Sequence, residues 1–564
     1  MTGGPKTTRA VALLLSLYGA VLVWNSARVG ITMDEPTRLL GAQLYWMNLP
    51  DHHPKDQPPL LSIVTGWAPR LLDIPLMQDH PIWKQQWKEH VSAFILDRTP
   101  GETVGRLYFL ARLGVIPFAL LTALLIWHWA RQLFPGGTAF LVCLLFLLLP
   151  EARGHGALIT SDMAATFTYL LSGYCAWRYW RDPSPRRAGL LGLAAGLAVI
   201  AKLSLLIVPL LAAGVIAARG IRSREGRRVA PLALAAVVLI PWLTTLTVYK
   251  FDTRRMTAPE LEDMARRGEY SPALLAAARI LTVVPTPREM QEGIRAMGSY
   301  YRDGTRVFLL GKIYNHGHWA YYPVCLALKP PIGFQILLAI GLAVLAAGAW
   351  TGRLPRDRLF LLAAGLIYLG FAMQSPIQLG IRLILPAMAF LVLVAGFGIE
   401  WLRARRWGKP ALAAAFLFIA ISTGRIFPHD ISYFNEWAGG PENGWRYLSD
   451  SNIDWGHCLP DLAAYMKRHG IERLKMFPFG FDKPRRYFPH GEAELQYTPW
   501  TPDKIKGPVY VPEPGIYAVP VSLLGGQFYE PEFKDFLRFF RDRKPDARPG
   551  YGMLVFFVRE QPAS

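Results

Sequence analysis

Runs of apolar residues separated by short polar connections occupy the first three quarters of the chain. A helix needs about 20 mainly apolar residues to cross a bilayer, and somewhat fewer where neighbouring helices shield it. The pattern predicts about eleven spanning helices, and it leaves open whether 188–219 is one broken segment or a pair. The predicted spans are 10–29, 107–127, 138–150, 162–180, 188–201, 203–219, 229–249, 330–350, 359–374, 382–400 and 410–426.

Three segments between or after these spans are too long to be simple connections. We predict a membrane domain over 1–426 with two long loops on one face, at 30–105 and 250–329, and a soluble domain over 427–564. The apolar and aromatic residues of 35–47, in the first loop, are typical of a helix that lies along the bilayer surface.

Short apolar runs in the C-terminal tail are typical of strands. The runs at 517–524 and 551–558 have the length and composition of β-strands, whereas 459–469 and a segment near 531–541 have helical patterns. The predicted fold class is therefore mainly α and polytopic, with a small C-terminal α/β domain.

The distribution of basic residues sets the expected orientation. The chain has 564 residues, is 52% hydrophobic and carries a formal net charge of +20. Nineteen lysines and arginines fall in the short loops on one side of the predicted membrane, and three fall in the short connections on the other. Cytoplasmic loops are enriched in these residues, so we predict a cytoplasmic N-terminus and an extracytoplasmic tail. No basic stripe is interleaved with aromatics, so nucleic acid is not an expected partner.

Two adjacent carboxylates, Asp34 and Glu35, follow the first predicted span. One interpretation is local, because a carboxylate followed by a proline such as Pro36 makes a favourable helix N-terminus. The other interpretation is chemical, and it depends on which other charged residues share that side of the membrane.

Further polar residues fall at the same predicted ends of the spans. Any one of them can cap a helix or extend to the interface, as polar residues at membrane boundaries often do. A mixture of acids and cations from several spans that meets at one face instead suits a negatively charged lipid phosphate together with a base. The residues concerned are Arg38, Lys55, Glu151, Arg153, His155, Asp162, Lys202 and Arg382.

Seven motifs along the chain carry a specific resemblance. They are "DE" at 34–35, "PPL" at 58–60, "HGALITSD" at 155–162, "FLLGKIYNHGHWAYYPVCLALKPP" at 308–331, "GIRLILP" at 380–386, "SYFNEWAGGPENGWRYLSDSNIDWG" at 432–456 and "GYGMLVFFV" at 550–558. With these motifs the chain resembles glycosyltransferase family 39, the bacterial relatives of protein O-mannosyltransferases and of lipid A aminoarabinose transferases. The similarity covers nearly the whole chain. One position departs from it, because His457 follows "DWG" where relatives often carry glutamine.

The resemblance implies a membrane-embedded enzyme of the GT-C fold, located in the bacterial inner membrane, that uses sugars carried on a polyprenyl phosphate. It also implies a catalytic base in the first outer loop, which corresponds to Asp34. The chemistry agrees, because an acceptor hydroxyl loses a proton as it attacks the anomeric carbon of the sugar. Asp162 is predicted to be a supporting acid. Glu35 either joins this catalytic group or only caps the helix that follows.

The lipid phosphate departs with negative charge, so cations are expected beside it. The candidates are Arg38, Lys55, Lys202 and Arg382. The candidates for contacts to the acceptor or the sugar are His155, Tyr321 and Asp454. For Asp454, a structural role in the turn before the predicted helix 459–469 is the competing interpretation.

The expected partners are a polyprenyl-phosphate-linked sugar, the lipid bilayer, and an acceptor that is a protein, a lipid or a glycan. A nucleotide sugar is not expected as the donor, because the chain has no Asp-x-Asp motif and no glycine-rich phosphate loop. No metal site is predicted, since neither His52 with His53 nor His316 with His318 has a further ligand at a fixed spacing. No required cofactor is predicted, and a divalent cation stays open.

Two other classes of function are weighed against this enzyme. A polytopic transporter or flippase for a lipid-linked sugar would carry ionisable residues near mid-span and often internal repeats, and neither is evident. A membrane scaffold with an interaction domain would explain the tail, but it would not explain the charged residues at the ends of the spans.

Overall fold

The computed structural model describes residues 5–49, 57–84, 88–266, 275, 279–353, 355–499 and 507–559. Each predicted span coincides with one helix or with two consecutive helices, and the ends differ from the expected ones by several residues. These helices are Pro5–Arg28, Gly101–Leu113 with Ile116–Leu133, Gly136–Leu148, Asp162–Arg181, Pro185–Ala201, Val208–Arg222, Arg224–Val248, Ile332–Trp350, Arg356–Met373, Leu385–Arg403 and Gly408–Gly424.

Among the described residues, six helical segments are long and apolar enough to cross a membrane. They are Lys6–Arg28, Gly101–Leu133, Leu203–Arg222, Arg224–Val248, Ile332–Trp350 and Ile381–Arg403. Three shorter apolar helices accompany them, at Gly136–Leu148, Arg358–Met373 and Gly408–Gly424. The prediction of a multi-pass membrane protein is confirmed, whereas the count of eleven crossings and their orientation stay predictions.

The segment 188–219 forms a pair of helices. The first, Pro185–Ala201, ends at Lys202, whose backbone is extended with φ −159° and ψ 135°. A 3₁₀ turn at Leu203–Ile207 follows, and the second helix begins at Val208 with a proline in its first turn, a position that suits proline. The break therefore places Lys202 between two helices.

The first outer loop folds onto itself. In its helix Glu35–Trp46, Leu39, Leu40 and Leu44 are buried within the protein. The short helices after it cover these leucines, and the Trp46 indole donates to the carbonyl of Ser62 at 3.0 Å. The predicted position of this helix along the bilayer surface stays a prediction. The covering helices are Leu60–Thr65, Trp67–Leu71 and Lys88–Arg98.

The described part of the second outer loop contains four helices and two small antiparallel strand pairs. The helices are Ala258–Arg266, Ile280–Val283, Arg288–Asp303 and Tyr321–Leu328. Thr253–Arg254 pairs with Thr286–Pro287 and closes the part of the loop that lies between them. The second pair, Val307–Leu309 with Lys312–Tyr314, leads directly into the segment before the next membrane helix.

The C-terminal tail contains a four-stranded sheet, as predicted. The edge strand Met553–Val558 lies in the predicted run 551–558, and the helix Leu459–His469 has the predicted bounds. The central strand Gly515–Pro520 covers only the first half of the predicted run 517–524, and the second half is wrong as a strand because Val521–Leu524 is a short helix. The first three strands are parallel and the last is antiparallel, in the order Ala493–Leu495, Leu474–Met476, Gly515–Pro520, Met553–Val558. The predicted fold class, mainly α with a small C-terminal α/β domain, is confirmed.

One helix predicted in the tail does not form as a single element. The segment 531–541 contains only a 3₁₀ turn, Pro531–Phe533, and a short helix, Arg538–Arg541. The carbonyl of Phe536 accepts a hydrogen bond from the amide of Tyr510 at 2.8 Å. Because that carbonyl serves a neighbouring segment, it does not continue a helix through this region.

One hydrophobic core extends from the membrane helices into the tail. Trp129 in a spanning helix, Leu309 in the second outer loop and Tyr517 in the central strand all belong to the same cluster of buried side chains. The tail is therefore fixed against the outer face of the helices, and the boundary between the two predicted domains stays a prediction.

The predicted orientation can be tested with single introduced cysteines. Of the native cysteines, Cys143, Cys325 and Cys458 are buried and Cys175 is partly buried, so native labelling should be low. Glu494→Cys, on an exposed strand of the tail, should react with a membrane-impermeant maleimide on intact spheroplasts.

Arg405→Cys, in a predicted cytoplasmic loop, is the matched control and should react only after permeabilisation. The reverse labelling pattern would show that the orientation derived from the basic residues is wrong.

Candidate active site

Four of the residues predicted for the site meet at one place. Arg382 lies between two carboxylates, with Nη2 at 3.1 Å from Oδ2 of Asp34 and Nη1 at 3.3 Å from Oδ2 of Asp162. Lys202 Nζ lies 2.6 Å from the other carboxylate oxygen of Asp162. Four separate elements therefore bring two acids and two cations together.

Asp34 precedes the helix Glu35–Trp46 but does not cap it with its side chain. The carboxylate of Glu35 instead accepts a hydrogen bond from the amide of Thr32 at 2.9 Å. The helix-capping interpretation of Asp34 is therefore wrong. Its carboxylate is turned to Arg382 and is available for chemistry.

The four side chains differ in how much of each is exposed to solvent. Asp34 is 26% exposed and Lys202 17%, whereas Arg382 is 7% and Asp162 1% exposed. A carboxylate that takes a proton from an acceptor must reach that acceptor, and of the two acids Asp34 is the accessible one. Asp162 lies behind the two cations and balances their charge.

Hydrogen bonds and a ring contact fix the direction of Arg382. Its Nε donates to the carbonyl of Leu379 and to Oγ of Ser451, both at 3.1 Å, and its guanidinium lies 4.1 Å from the ring centroid of Trp455. A guanidinium over an indole face gains a cation–π interaction. Arg382 is therefore held on several sides, and Asp34 and Asp162 take its remaining donors.

Tyr321 acts on the loop before Arg382. Its hydroxyl accepts from the amide of Gly380 and from Nδ2 of Asn452, each at 2.9 Å, and Asn452 in turn accepts from the amide of Ile381 at 3.0 Å. Gly380 has φ 93°, a conformation that glycine adopts without strain. Tyr321 is only 2% exposed, so this geometry makes it a positioning residue, and its predicted contact to sugar or acceptor stays a prediction.

Glu35 is buried, and each of its carboxylate oxygens has more than one partner. Arg112 donates to both oxygens, at 2.7 and 2.6 Å, and the amide of Ile159 donates to one of them at 3.0 Å. Arg112 also donates to the carbonyls of Ser26, Val29 and Gly30. The pair fastens the first outer loop to a spanning helix, which is a structural role.

Two other residues were predicted as phosphate ligands, Arg38 and Lys55. Arg38 lies one turn after Asp34 and is half-buried, and its amide donates to the carbonyl of Asp34 at 3.2 Å. Lys55 lies outside the described residues. Their contact with a lipid phosphate stays a prediction.

His155 and Asp454 are both buried. The ring of His155 is edge-on to Trp455 with centroids 6.0 Å apart, and burial lowers its pKa to about 3, so the imidazole is neutral near pH 7. Asp454 accepts from the amide of Gly456 at 2.9 Å, and burial raises the pKa of its carboxyl to about 7. This bond supports the structural interpretation of Asp454 as part of a turn, and contacts of both residues to substrate stay predictions.

Three residues at the site were not singled out in the sequence. Arg112 is an arginine inside a predicted span, which is a recognised signal of a functional or structural charge. Asp450 lies in the "DSNIDWG" motif, with φ 60°, a backbone conformation that is uncommon outside glycine and often found at functional sites. Burial raises the pKa of the Asp450 carboxyl, while the charge of nearby Arg382 lowers it. Lys329 precedes a span and donates to the carbonyls of Ile431 and Asn452.

A second buried ion pair attaches the start of the tail. Arg153 Nη2 lies 2.7 Å from Oδ1 of Asp430, and both residues are buried. Together with the bonds of Lys329, this pair holds the segment that carries Ser451, Asn452 and Trp455 against the membrane helices. Arg153, expected at the outer end of a span, therefore orders the wall of the site.

A family model matches part of the chain. Residues 103–247 match the model described as dolichyl-phosphate-mannose-protein mannosyltransferase. Over these residues the match agrees with the resemblance carried by the sequence motifs. No curated protein sequence matches the chain significantly.

The solved structures that align with this chain are distant in sequence. The crystal structure of ArnT from Cupriavidus metallidurans bound to undecaprenyl phosphate is 13% identical, with a TM-score of 0.47, over 97% of this chain and 98% of that one. The oligosaccharyltransferase from Archaeoglobus fulgidus, tethered to an acceptor peptide, is 12% identical with a TM-score of 0.42. That alignment covers 86% of this chain and 63% of the archaeal protein.

The buried pair of Arg112 with Glu35 should contribute strongly to stability. Arg112→Ala leaves a buried carboxylate without its counter-charge, a change that typically destabilises a protein by roughly 3–5 kcal/mol. We expect a large fall in the thermal unfolding temperature of the protein in detergent. Tryptophan fluorescence measures the unfolding.

The matched control is Arg538→Ala, which removes an exposed arginine paired with Asp542 and should change little. The double variant Glu35→Gln, Arg112→Met should recover part of the loss, because it removes both charges. Equal unfolding temperatures for Arg112→Ala and Arg538→Ala would contradict the structural role.

Proposed function

We propose that the protein is a glycosyltransferase that moves one sugar from a polyprenyl-phosphate carrier to an acceptor on the outer face of the membrane. The observation that carries this proposal is the group of Asp34, Arg382, Asp162 and Lys202, in which Asp34 is the more exposed acid. The family match over 103–247 supports the class of transferase.

Asp34 is the proposed general base. As the acceptor oxygen attacks the anomeric carbon, the bond from that carbon to the phosphate oxygen breaks, and Asp34 takes the proton of the acceptor. Arg382 keeps the Asp34 carboxylate oriented through a contact of 3.1 Å. A single displacement of this kind inverts the configuration at the anomeric carbon.

Lys202 is the proposed contact for the departing lipid phosphate. It is the more exposed of the two cations, and Arg382 is already engaged by two carboxylates. A positive charge placed where negative charge develops stabilises the transition state. Asp162 holds Lys202 and Arg382 at a fixed separation and so supports both roles.

The transporter interpretation receives less support from the buried charges. The buried cations Arg112 and Lys329 donate to backbone carbonyls, and Arg112 also binds a fixed carboxylate. Groups with such partners hold loops in place. A transporter would use ionisable groups that exchange partners during transport.

Replacing the proposed base tests the mechanism. Asp34→Asn keeps the size of the side chain but cannot accept a proton, so we expect transfer to fall by about 10²–10⁴-fold, the usual contribution of a general base. The measurement is transfer of labelled sugar by purified protein, with folding checked by thermal unfolding.

The control is Asp182→Asn, which replaces an exposed acid in a predicted cytoplasmic loop and should keep full activity. Transfer by Asp34→Asn at the rate of the unmodified protein would remove Asp34 from the mechanism.

The carrier of the sugar can be identified directly. We expect purified protein to transfer sugar from a polyprenyl-phosphate donor without any nucleotide, because the cations of the site lie at the expected membrane boundary. A nucleotide sugar should give no product in detergent free of lipid carrier.

Lys202→Met should raise the KM for the lipid donor, and Lys202→Arg should restore part of the loss by returning the charge. Efficient transfer from a nucleotide sugar would show that the donor class is wrong. An unchanged KM in Lys202→Met would show that another cation contacts the phosphate.

A further inference from the structure

Three potential metal ligands lie together behind the site, in one turn of the tail. Asp454, His457 and Cys458 each offer one ligand atom, and these atoms lie within 4.8 Å of one another. The three residues are 1%, 3% and 1% exposed. Their sequence spacing, i, i+3 and i+4, brings a carboxylate, an imidazole and a thiol to one small volume.

Glycines make this arrangement sterically possible. Gly456 has φ 80°, and a Cβ there would lie 3.3 Å from the backbone of Gly480, so the tight turn between Asp454 and His457 requires glycine. A Cβ added at Gly552 would lie 2.7 Å from the sulfur of Cys458. The neighbouring strand therefore leaves room around the thiol.

The polar atoms of this cluster are incompletely satisfied by the protein. Oδ2 of Asp454 and Nε2 of His457 are buried and have no hydrogen-bond partner. Sγ of Cys458 has a weak contact at 3.6 Å with the carbonyl of Gly550. Buried polar groups almost always have a partner, so this environment favours a bound ion or water.

A small cavity adjoins the cluster. Its volume is about 20 Å³, enough for one ion or one water molecule. Asp454 and Cys458 line it together with the thioethers of Met476 and Met553. The lining thus includes three sulfur atoms and two carboxylates, because Asp482 also lines the cavity.

We propose that Asp454, His457 and Cys458 bind one divalent transition-metal ion of the zinc type. Zinc accepts carboxylate oxygen, imidazole nitrogen and thiolate sulfur as ligands, and three protein ligands leave a fourth position for water. Calcium and magnesium prefer oxygen ligands, so the thiol and imidazole argue for a softer ion.

The ion would order the turn that supports the candidate active site. The amide of Gly30 donates to the carbonyl of His457 at 3.1 Å, and the amide of Met33 donates to the carbonyl of Trp455 at 2.9 Å. The backbone immediately before Asp34 is therefore attached to the metal-binding turn. Trp455 in the same turn lies against Arg382. The metal has a structural role and takes no part in sugar transfer.

Cobalt binding to the full-length protein tests the proposal independently of activity. Protein purified in detergent, with any polyhistidine tag removed, is stripped with a chelator and titrated with Co²⁺. We expect one Co²⁺ per chain, a thiolate-to-cobalt charge-transfer band that Zn²⁺ abolishes, and a higher thermal unfolding temperature with Zn²⁺.

Variants assign the ligands. Cys458→Ser should remove the charge-transfer band. His457→Gln and Asp454→Asn should each weaken binding by more than about 100-fold, since loss of an outer hydrogen-bond partner alone weakens a metal site 10–100-fold. Cys175→Ser, at a partly buried cysteine in the helix Asp162–Arg181, is the control and should bind as the unmodified protein does.

Two outcomes would overturn the proposal. One is that Co²⁺ produces no thiolate charge-transfer band with the folded, unmodified protein. The cavity would then hold a water molecule. The other is unchanged binding in Cys458→Ser. If a variant fails to fold, the spectrum of the unmodified protein still decides, because the band requires a cysteine ligand.

Discussion

The arrangement of the outer face depends on the ion pairs of one arginine. Arg382 touches Asp34 and Asp162 at the same time, and Lys202 completes the charge balance at Asp162. Charges placed away from water need partners, because the desolvation of an unpaired ion costs several kcal/mol. The start of the helix Asp162–Arg181, the break at Lys202, the first outer loop and the turn before Leu385–Arg403 are thus required to meet at one point.

The ion pairs also divide the charged residues into those that hold the structure together and those that a substrate can reach. The pairs of Arg112 with Glu35 and of Arg153 with Asp430 are buried and fully engaged, so they fix the outer loop and the tail to the helices. Asp34 and Lys202 are the more exposed members of the central group. Asp34 and Lys202 are therefore the members of the group that a substrate can reach, as the proposed roles of base and phosphate contact require.

Much of this site was accessible from the sequence. Asp34, Asp162, Lys202 and Arg382 were singled out because charged residues at the ends of apolar spans are costly and need a reason. The roles of Glu35 and Tyr321 were not accessible, because they depend on burial and on partners such as Arg112 and Gly380 that are remote in the chain. Asp450 could not be identified from the sequence, because it lies in a motif whose pattern is typical of an ordinary turn.

The sequence by itself determined the apolar helices, the break at Lys202, two of the tail's strands and its main helix, and which side of the spans gathers acids together with cations. These features follow from local periodicity and composition, which each segment carries alone. Only the tertiary structure decided which of the adjacent carboxylates at 34 and 35 is buried, and that Arg382 joins Asp34 to Asp162. Such pairings join residues that are remote in the chain, and packing alone sets their distance and exposure to water.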